Sequence, residues 1–160
     1  MAYNAGVGIR GAASAFQRVE VTMKNDSNAA TVVGRMYPVD FADVAAEIAV
    51  ADELIFSPGS TTQDCTYRIT AAAASTAPAM YVVALEAVAD GLEFQAVLSG
   101  LVQIQTDAIR EMGEVFGSDS SGDAADVTSG DSILGFQLEE TTTSALAWCL
   151  FFGPFGGLNT

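Results

Sequence analysis

Carboxylates are the side chains of this sequence with the clearest capacity for chemistry, and four of them share the loop of residues 118–131. They are Asp119, Asp123, Asp126 and Asp131. Hard oxygen ligands of this kind bind Ca²⁺, but the loop lacks the alternating ligand positions and the closing bidentate Glu of an EF-hand. The pattern favours a solvated acidic loop, and a cation site is the alternative that the sequence leaves open.

Four further carboxylates flank two predicted hairpin turns. Glycosidases use paired carboxylates as acid, base or nucleophile, but nothing in the sequence places these side chains across a cleft from one another. We interpret them as polar strand ends rather than as a catalytic pair. They are Glu86, Glu93, Glu139 and Glu140.

Other catalytic patterns are missing from the sequence. The chain contains no histidine, which excludes Ser-His-Asp and Cys-His catalysis and histidine metal ligands. Residues 57–60 read Ser-Pro-Gly-Ser and predict a turn, without a G-x-S-x-G elbow or a P-loop pattern. We therefore expect no catalytic residue, no cofactor and no metal, and we predict that the protein is not an enzyme.

The charge balance limits the partners. Twenty acidic residues face six basic ones, for a formal net charge of −14. Nucleic acids and anionic membrane surfaces are bound through Lys and Arg, so we expect neither as a partner. The longest continuously apolar run, residues 145–152, is too short to span a bilayer. The N-terminus lacks the pattern of a signal peptide.

The two cysteines, Cys65 and Cys149, are too sparse for a disulfide scaffold or a zinc cluster. A single bridge between them stays open as an alternative. Free cysteine is among the most buried residue types, and Cys149 lies within an apolar run. The sequence therefore favours two buried thiols.

Alternating apolar and polar residues predict strands in the N-terminal half of the chain. We expect strands at residues 18–24 and 31–37, the second ended by Pro38. Residues 40–56 fit a helix or a strand equally well. Residues 1–16 are rich in Ala and Gly and form either an extended arm or a disordered terminus.

In the C-terminal half we expect strands at residues 80–85, 93–105, 133–139 and 145–152. The longest of them carries Gly100 at its centre, and a glycine inside a strand usually marks a bulge or a bend. The apolar residues expected on the same face as this glycine are Phe94, Ala96, Leu98, Val102 and Ile104.

A short helix is expected at residues 107–116. Thr106 has the side chain of an N-cap, and Gly117 stands where a C′ residue belongs. The residues on one stripe of this helix are Ile109, Met112 and Phe116.

Two hairpin blocks of the C-terminal half align without a gap at an offset of 53 residues. The few identities leave two explanations open, an internal repeat and a chance match between two hairpins. The identical pairs are Leu85 and Leu138, Glu86 and Glu139, and Gly100 and Gly153.

Together these elements predict a mainly β fold. We expect a compact antiparallel β-barrel with one or two short helices, preceded by an extended N-terminal arm. The arm comprises residues 1–16, and residues 17–160 form a single β-rich domain.

Aromatic residues crowd the C-terminal strand. Trp148 and Phe152 should point to one side of it and Phe151 to the other, with Phe155 close behind. Either the strand is central and buried on both faces, or one face meets a neighbouring subunit, since aromatic residues are enriched at interfaces. A chain that is 50% hydrophobic and 16% charged has apolar surface to cover, which favours an oligomer.

The two hairpin blocks also carry a resemblance. Residues 81–91 (YVVALEAVADG), 97–103 (VLSGLVQ) and 130–140 (GDSILGFQLEE) resemble the capsid decoration, or cement, proteins of tailed bacteriophages. The resemblance covers residues 80–157, about half of the chain. It implies a small β-barrel or β-tulip-like protein, often trimeric, that binds the outside of the expanded head and clamps neighbouring major capsid subunits.

From this resemblance we expect a structural virion protein on the outer capsid surface, made in the host cytoplasm. Its expected partners are the major capsid protein and further copies of itself, with a trimer favoured. The arm could add a strand to a capsid subunit. The candidate subunit or capsid interface residues are Tyr3, Val7, Ile9, Phe16, Trp148, Phe151, Phe152 and Phe155.

The alternative function is another viral or secreted β-rich binding module. It could be a head fibre, a receptor-binding piece or a ligand-binding barrel. A ligand-binding barrel needs a few convergent polar groups in its lumen, and the expected inward face of residues 93–105 supplies none.

Overall fold

The computed structural model describes residues 17–40, 68–75 and 80–153. Within these three ranges the chain forms nine β-strands and no α-helix. The strands are β1 (Val19–Asn25), β2 (Met36–Asp40), β3 (Arg68–Ile69), β4 (Tyr81–Ala84), β5 (Glu93–Gln105), β6 (Val115–Ser118), β7 (Ala124–Ala125), β8 (Gly135–Gln137) and β9 (Leu146–Phe151).

Five strands close into a first barrel. They pair in the order β1–β3–β2–β4–β5, and β5 returns to β1. The β1–β3 pair is parallel, and the other four pairs are antiparallel. Closure removes the free edges that an open sheet would expose. The predicted antiparallel β-barrel is thus confirmed.

Alternation along the strands fills the interior of the first barrel. On β1, Met23 is buried between the exposed Thr22 and the half-buried Lys24, as the period of two requires. The buried residues of this first core are Met23, Tyr37, Val39, Ile69, Val82, Ala84, Phe94 and Ala96.

The long strand β5 continues beyond the first barrel into a second set of strands. From Gly100 onward it pairs with β9, which pairs with β8, then β6 and β7. A parallel bridge between Thr106, just after β5, and Ala124 on β7 closes this ring. The chain therefore forms two five-stranded barrels that share β5.

Gly100 marks the change from one barrel to the other. Its φ is +106°, a conformation that L side chains rarely adopt, and the β1–β5 register slips by one residue just before it, at Leu98. A Cβ at Gly100 would collide with the backbone carbonyl of Gln17. The predicted bulge in this strand is confirmed.

The bulge also corrects the expected single face of β5. Phe94 and Ala96 belong to the first core, whereas Val102 and Ile104 belong to the second. A register slip moves side chains to the other side of a strand. The face predicted for residues 93–105 is therefore divided between two cores.

The second core combines both barrels. Val82 and Ala84 of β4 face the first core, while Tyr81 and Val83 face the second, so this short strand is buried on both sides. The buried residues of the second core are Met36, Tyr81, Val83, Val97, Val102, Ile104, Phe116, Ala124, Leu134, Cys149 and Phe151.

The two barrels are built on the same plan. β4 pairs with β5 in the same register as β8 pairs with β9, at an offset of 53 residues. β2 pairs with β4 as β6 pairs with β8, and β3 pairs with β2 as β7 pairs with β6. The C-terminal end of β5 pairs with β9 as β1 pairs with β5. Equivalent residues include Met36 and Val115, Val83 and Phe136, and Val97 and Leu150.

Hydrogen bonds outside the strands repeat as well. The Gly34 N–H donates to the Ala84 carbonyl at 2.9 Å, and the Gly113 N–H donates to the Gln137 carbonyl at 2.8 Å. Both glycines have a positive φ, +82° and +92°. Of the two explanations for the matching blocks, the structure supports an internal repeat.

The helix predicted at residues 107–116 is wrong. Residues 107–114 form an irregular loop, and Phe116 and Gly117 lie in β6. Ile109 and Met112 are each 70% exposed. The buried residue of the loop is instead Arg110, whose backbone bridges to Thr141, so tertiary contacts override the helical spacing.

The strand predicted at residues 31–37 is also wrong in its bounds. β2 begins at Met36 and passes through Pro38, which lies opposite Tyr81 on β4. The Pro38 carbonyl accepts the Thr70 N–H at 3.1 Å. The proline nitrogen faces this same side and has no N–H to donate to Thr70 in return, so the β2–β3 ladder ends at this pair.

Candidate interaction surface

The outer side of the second barrel carries rows of apolar side chains across four strands. In one row Val115, Phe136, Leu150 and Leu101 stand side by side on β6, β8, β9 and β5. In the next row, the Leu138 N–H donates to the Trp148 carbonyl at 2.8 Å, and Trp148 lies opposite the exposed Gln103 of β5. We call this set the outer sheet face: Leu101, Val115, Phe136, Leu138, Leu146, Trp148 and Leu150.

Much of the outer sheet face is open to solvent. Val115 is 46% exposed, Leu146 43% and Trp148 41%. Phe136 is half-buried, and its ring meets that of Phe152 edge-on, with 5.4 Å between the ring centroids. Contiguous apolar surface of this kind marks an interaction site more often than scattered single residues do.

The strands beneath this face carry no charged residue. Residues 100–105, 115–118, 135–137 and 146–151 contain neither acid nor base, although the chain has a net charge of −14. The acidic side chains of this region lie beyond the ends of the strands, as does the exposed Glu139, which follows β8. The face is therefore a neutral area on an acidic protein.

The aromatic residues of the C-terminal strand separate as their alternation predicts. Phe151 is 1% exposed and lies in the second core, whereas Trp148 on the opposite side of β9 is exposed and Phe152 is half-buried. β9 is therefore buried on one side and partly open on the other. The other candidate interface residues lie outside the described residues: Tyr3, Val7, Ile9, Phe16 and Phe155.

The four aspartates of the acidic loop point to separate partners. Asp119 accepts the N–H groups of Ser121 and Asp123 at 2.8 and 2.9 Å, as in an Asx-turn. Asp131 accepts the backbone N–H of Thr128 at 2.7 Å. In residues 17–40, 68–75 and 80–153, no group of three or more Asp, Glu, Cys or His side chains is placed to hold a metal ion.

Asp123 and Asp126 each bind an arginine. Asp123 accepts the Arg35 Nε–H at 2.9 Å across the junction between the barrels. Burial raises the pKa of Asp123, while the charge of Arg35 acts in the opposite direction. Asp126 accepts a hydrogen bond from the Arg110 Nη1–H at 2.9 Å. Two of the candidate cation ligands are therefore already engaged with cations of the chain itself.

Arg110 is a structural centre that the sequence analysis missed. Its side chain is 2% exposed, and it donates to Asp126 and, at 3.0 Å, to the Val115 carbonyl. The carboxylates of Asp107 and Glu114 lie 3.8 and 3.7 Å from it. The available signal is a basic residue with acids three residues before it and four after it, whereas the helix was predicted from the spacing of Ile109, Met112 and Phe116.

Two buried polar atoms near this cluster lack a partner in the described part of the chain. They are Arg110 Nε and Gln137 Oε1. Gln137 is fully buried and faces Cys149 across the β8–β9 pair. At the positions equivalent to Thr31 and Ala84 of the first barrel, the second barrel therefore holds the longer polar side chains of Arg110 and Gln137.

The glutamates at the hairpins stabilise their own turns. Glu86 accepts the Gln95 N–H at 2.8 Å, and Glu139 accepts the Trp148 N–H at 3.1 Å. Each carboxylate thus reaches across its own hairpin rather than toward a shared cleft. Glu140 is exposed beside Glu139.

Cys149 is a free, fully buried thiol within the second core. Burial raises its pKa to about 12. The interpretation as a buried thiol is confirmed for this residue, and Cys65 lies outside the described residues.

A cleft of about 270 Å³ lies beside the first barrel, between Ala71 and Ser121. Arg35 and Tyr37 are among its lining residues, but the Arg35 Nε–H is bonded to Asp123 and the Tyr37 hydroxyl accepts the Val32 N–H at 2.9 Å. These polar groups already bind other parts of the chain.

No helix in the described ranges is long and apolar enough to cross a membrane.

No protein-family model and no curated protein matches this chain. Among solved structures, it is similar to the N base of the head fibre protein gp8.5 of bacteriophage phi29. The two chains are 18% identical, the match covers 84% of this chain and 94% of the other, and the TM-score is 0.53. At this identity the similarity establishes a shared fold.

Proposed function

We propose that this protein is a structural component of a tailed-phage virion, bound to the outer surface of the capsid. The observation that carries the proposal is the fold shared with the N base of a phage head fibre over most of both chains. The resemblance of residues 80–157 to phage capsid decoration proteins supports the same location from the sequence.

The physical properties of the chain agree with this role. A net charge of −14 suits an outer surface better than one that lines packaged DNA, because like charges repel. The apolar outer sheet face offers a docking surface that requires no catalytic chemistry.

In the first form of the proposal the protein stabilises contacts between neighbouring major capsid subunits. It would then occupy the shell in a number set by capsid symmetry. Particles without it would release their DNA at a lower temperature than particles that carry it, because the contacts it adds would be missing.

In the second form the protein is the base of a head fibre, which the fold similarity to the gp8.5 N base specifically favours. In this form the protein attaches to the shell and adds no contact between neighbouring capsid subunits. Particles that lack such a protein should therefore release their DNA at the same temperature as complete particles.

The decisive experiment is quantitative mass spectrometry of sedimented particles, with the copy number expressed relative to the major capsid protein. We expect the chain in the particles at a sizeable fraction of the copy number of the major capsid protein, and that fraction should match a symmetry position of the shell. Particles made without the chain are then heated beside complete particles, and re-addition of the purified protein serves as the control. Absence of the chain from complete particles would overturn the proposal in both forms.

A further inference from the structure

A row of apolar residues on the outside of the first barrel is covered by the second barrel, whereas the equivalent row of the second barrel is partly open. Met36, Val83 and Val97 form a row across β2, β4 and β5 on the outside of the first barrel. Each is fully buried, because the residues of the second core pack over them. The Met36 N–H also donates to the Gly122 carbonyl of the second barrel at 2.7 Å.

The equivalent row of the second barrel consists of Val115, Phe136 and Leu150. No described residue packs over Val115, which stays 46% exposed, and Phe136 is half-buried. Leu150 is 9% exposed, so the row that is fully buried in the first barrel is open in the second barrel at Val115 and in part at Phe136.

We propose that the outer sheet face binds a second copy of this chain. Within the chain, the row of the first barrel is covered by the second barrel, which has the same architecture. A second copy of the chain can supply another barrel of this architecture to the row of the second barrel. This inference does not depend on the location of the protein in a virion.

Electrostatics agrees with this choice of occupant. Two copies that each carry a net charge of −14 repel one another over most of their surfaces. The outer sheet face is formed by strands without charged residues, so two copies approach there at the lowest electrostatic cost. Screening by salt strengthens such a contact.

The internal contact also indicates how the copies meet. It joins the outside of the first barrel to the second barrel, so two different surfaces meet, as in a heterologous interface. A second copy placed in the same way covers the outer sheet face with its own first barrel. Repetition of such a contact produces a closed ring or a continuing row.

The test compares the purified wild-type chain with Val115→Asp and Trp148→Asp, by sedimentation velocity over a range of concentrations. Ile109→Asp is the matched control, because Ile109 is an apolar residue that is 70% exposed outside the outer sheet face. Circular dichroism confirms that each variant is folded. We expect multiples of 16.5 kDa for the wild type and the control, and 16.5 kDa for the two variants on the face.

Trp148 provides a second readout, because it is the sole tryptophan of the chain and lies on this face. Its emission should shift to longer wavelength when the wild type or Ile109→Asp is diluted, and should not change with concentration in Val115→Asp. A wild type that is monomeric throughout would overturn the inference. So would an oligomer that persists in both variants, or one that dissociates without any change in emission.

The particle experiment separates this inference from the proposed function. If the wild type is monomeric and Val115→Asp no longer binds sedimented heads, the outer sheet face contacts the capsid and the inference is wrong, while the virion assignment stands. If the wild type is oligomeric through this face but absent from particles, the virion assignment is wrong and the inference stands.

Discussion

Glu86 and Glu139 occupy equivalent places in the two barrels, and each accepts a backbone N–H from nine residues further along the chain, at 2.8 and 3.1 Å. The donors, Gln95 and Trp148, are themselves 53 residues apart. Together with the matching strand registers, this pair of bonds shows that the repeat extends to the side chains that stabilise each hairpin.

Replacement of either glutamate should therefore have the same effect. Glu86→Ala and Glu139→Ala each remove one charge-assisted hydrogen bond and should lower the free energy of unfolding by about 1 kcal/mol. Urea unfolding measures both. Glu140→Ala is the control on an exposed neighbour and should change stability by less than about 0.5 kcal/mol. Strongly unequal effects of the two substitutions would contradict the equivalence.

Gly100→Ala should destabilise the protein by about 2–4 kcal/mol, because its φ of +106° is strained for alanine and its Cβ collides with the Gln17 carbonyl. Gly130→Ala is the matched control. Its φ is +95°, but a Cβ there meets nothing within 4 Å. Thermal unfolding compares the two variants, and an equal loss in both would show that the backbone collision contributes nothing.

Arg110→Met should lower the free energy of unfolding by about 1–3 kcal/mol, since it removes the hydrogen-bond donor of the Val115 carbonyl and the charge-assisted hydrogen bond to the exposed Asp126. Arg18→Met is the control. Arg18 pairs with Glu20 at 2.6 Å, but both side chains are 42% exposed, and such a surface pair contributes at most about 1 kcal/mol. Chemical denaturation measures the free energy of unfolding of both variants. Similar losses in Arg110→Met and Arg18→Met would contradict a central role for Arg110.

The Cys149 thiol should be unreactive in the native protein. Burial raises its pKa to about 12, so almost no thiolate exists at pH 8. In a Cys65→Ser background, a thiol-specific disulfide reagent should react only after denaturation. The raised pKa also has a consequence for stability: its contribution is complete below pH 9, the usual range of a thiol, and is lost as the pH rises toward 12. Rapid native labelling would contradict this burial.

Asp123 and Asp131 should titrate in opposite directions from the ordinary value of 3.8. Burial raises the pKa of Asp123, whereas hydrogen bonds from Thr128 lower the pKa of Asp131. The contribution of Asp123 to stability is therefore complete below pH 3.8 and is lost as the pH rises through its folded pKa. That of Asp131 is present above pH 3.8 and is lost as the pH falls through its own pKa. Carboxyl carbon NMR titration measures both midpoints, and Asp123→Asn and Asp131→Asn assign the two signals.

The sequence predicted elements well where local pattern and tertiary environment agree. β5 was expected at residues 93–105 and lies there, because its alternation is long and Gly100 marks the bend. The loop of residues 107–114 was expected to be helical, because Ile109, Met112 and Phe116 have helical spacing. Its conformation depends on the burial of Arg110, which no local pattern shows.

The repeat was only partly visible in the sequence for a geometric reason. The hairpins β4–β5 and β8–β9 keep one constant offset, so their identities align without a gap. Between β2 and β3 the chain has 27 residues, 41–67, whereas between β6 and β7 it has five, 119–123. This difference hides the equivalence of the remaining strands. The outer sheet face was partly predicted, through Trp148, but its other strands could be placed beside β9 only by the fold.

The shared strand β5 has a mechanical consequence. Most tandem domains are joined by a linker that bends, so the angle between them fluctuates. Here one uninterrupted strand of 13 residues is hydrogen-bonded into both barrels, and the junction contains no free segment about which they could swivel. We therefore expect the two barrels to keep a fixed orientation relative to one another, because hydrogen bonds on both sides of Gly100 hold the same strand.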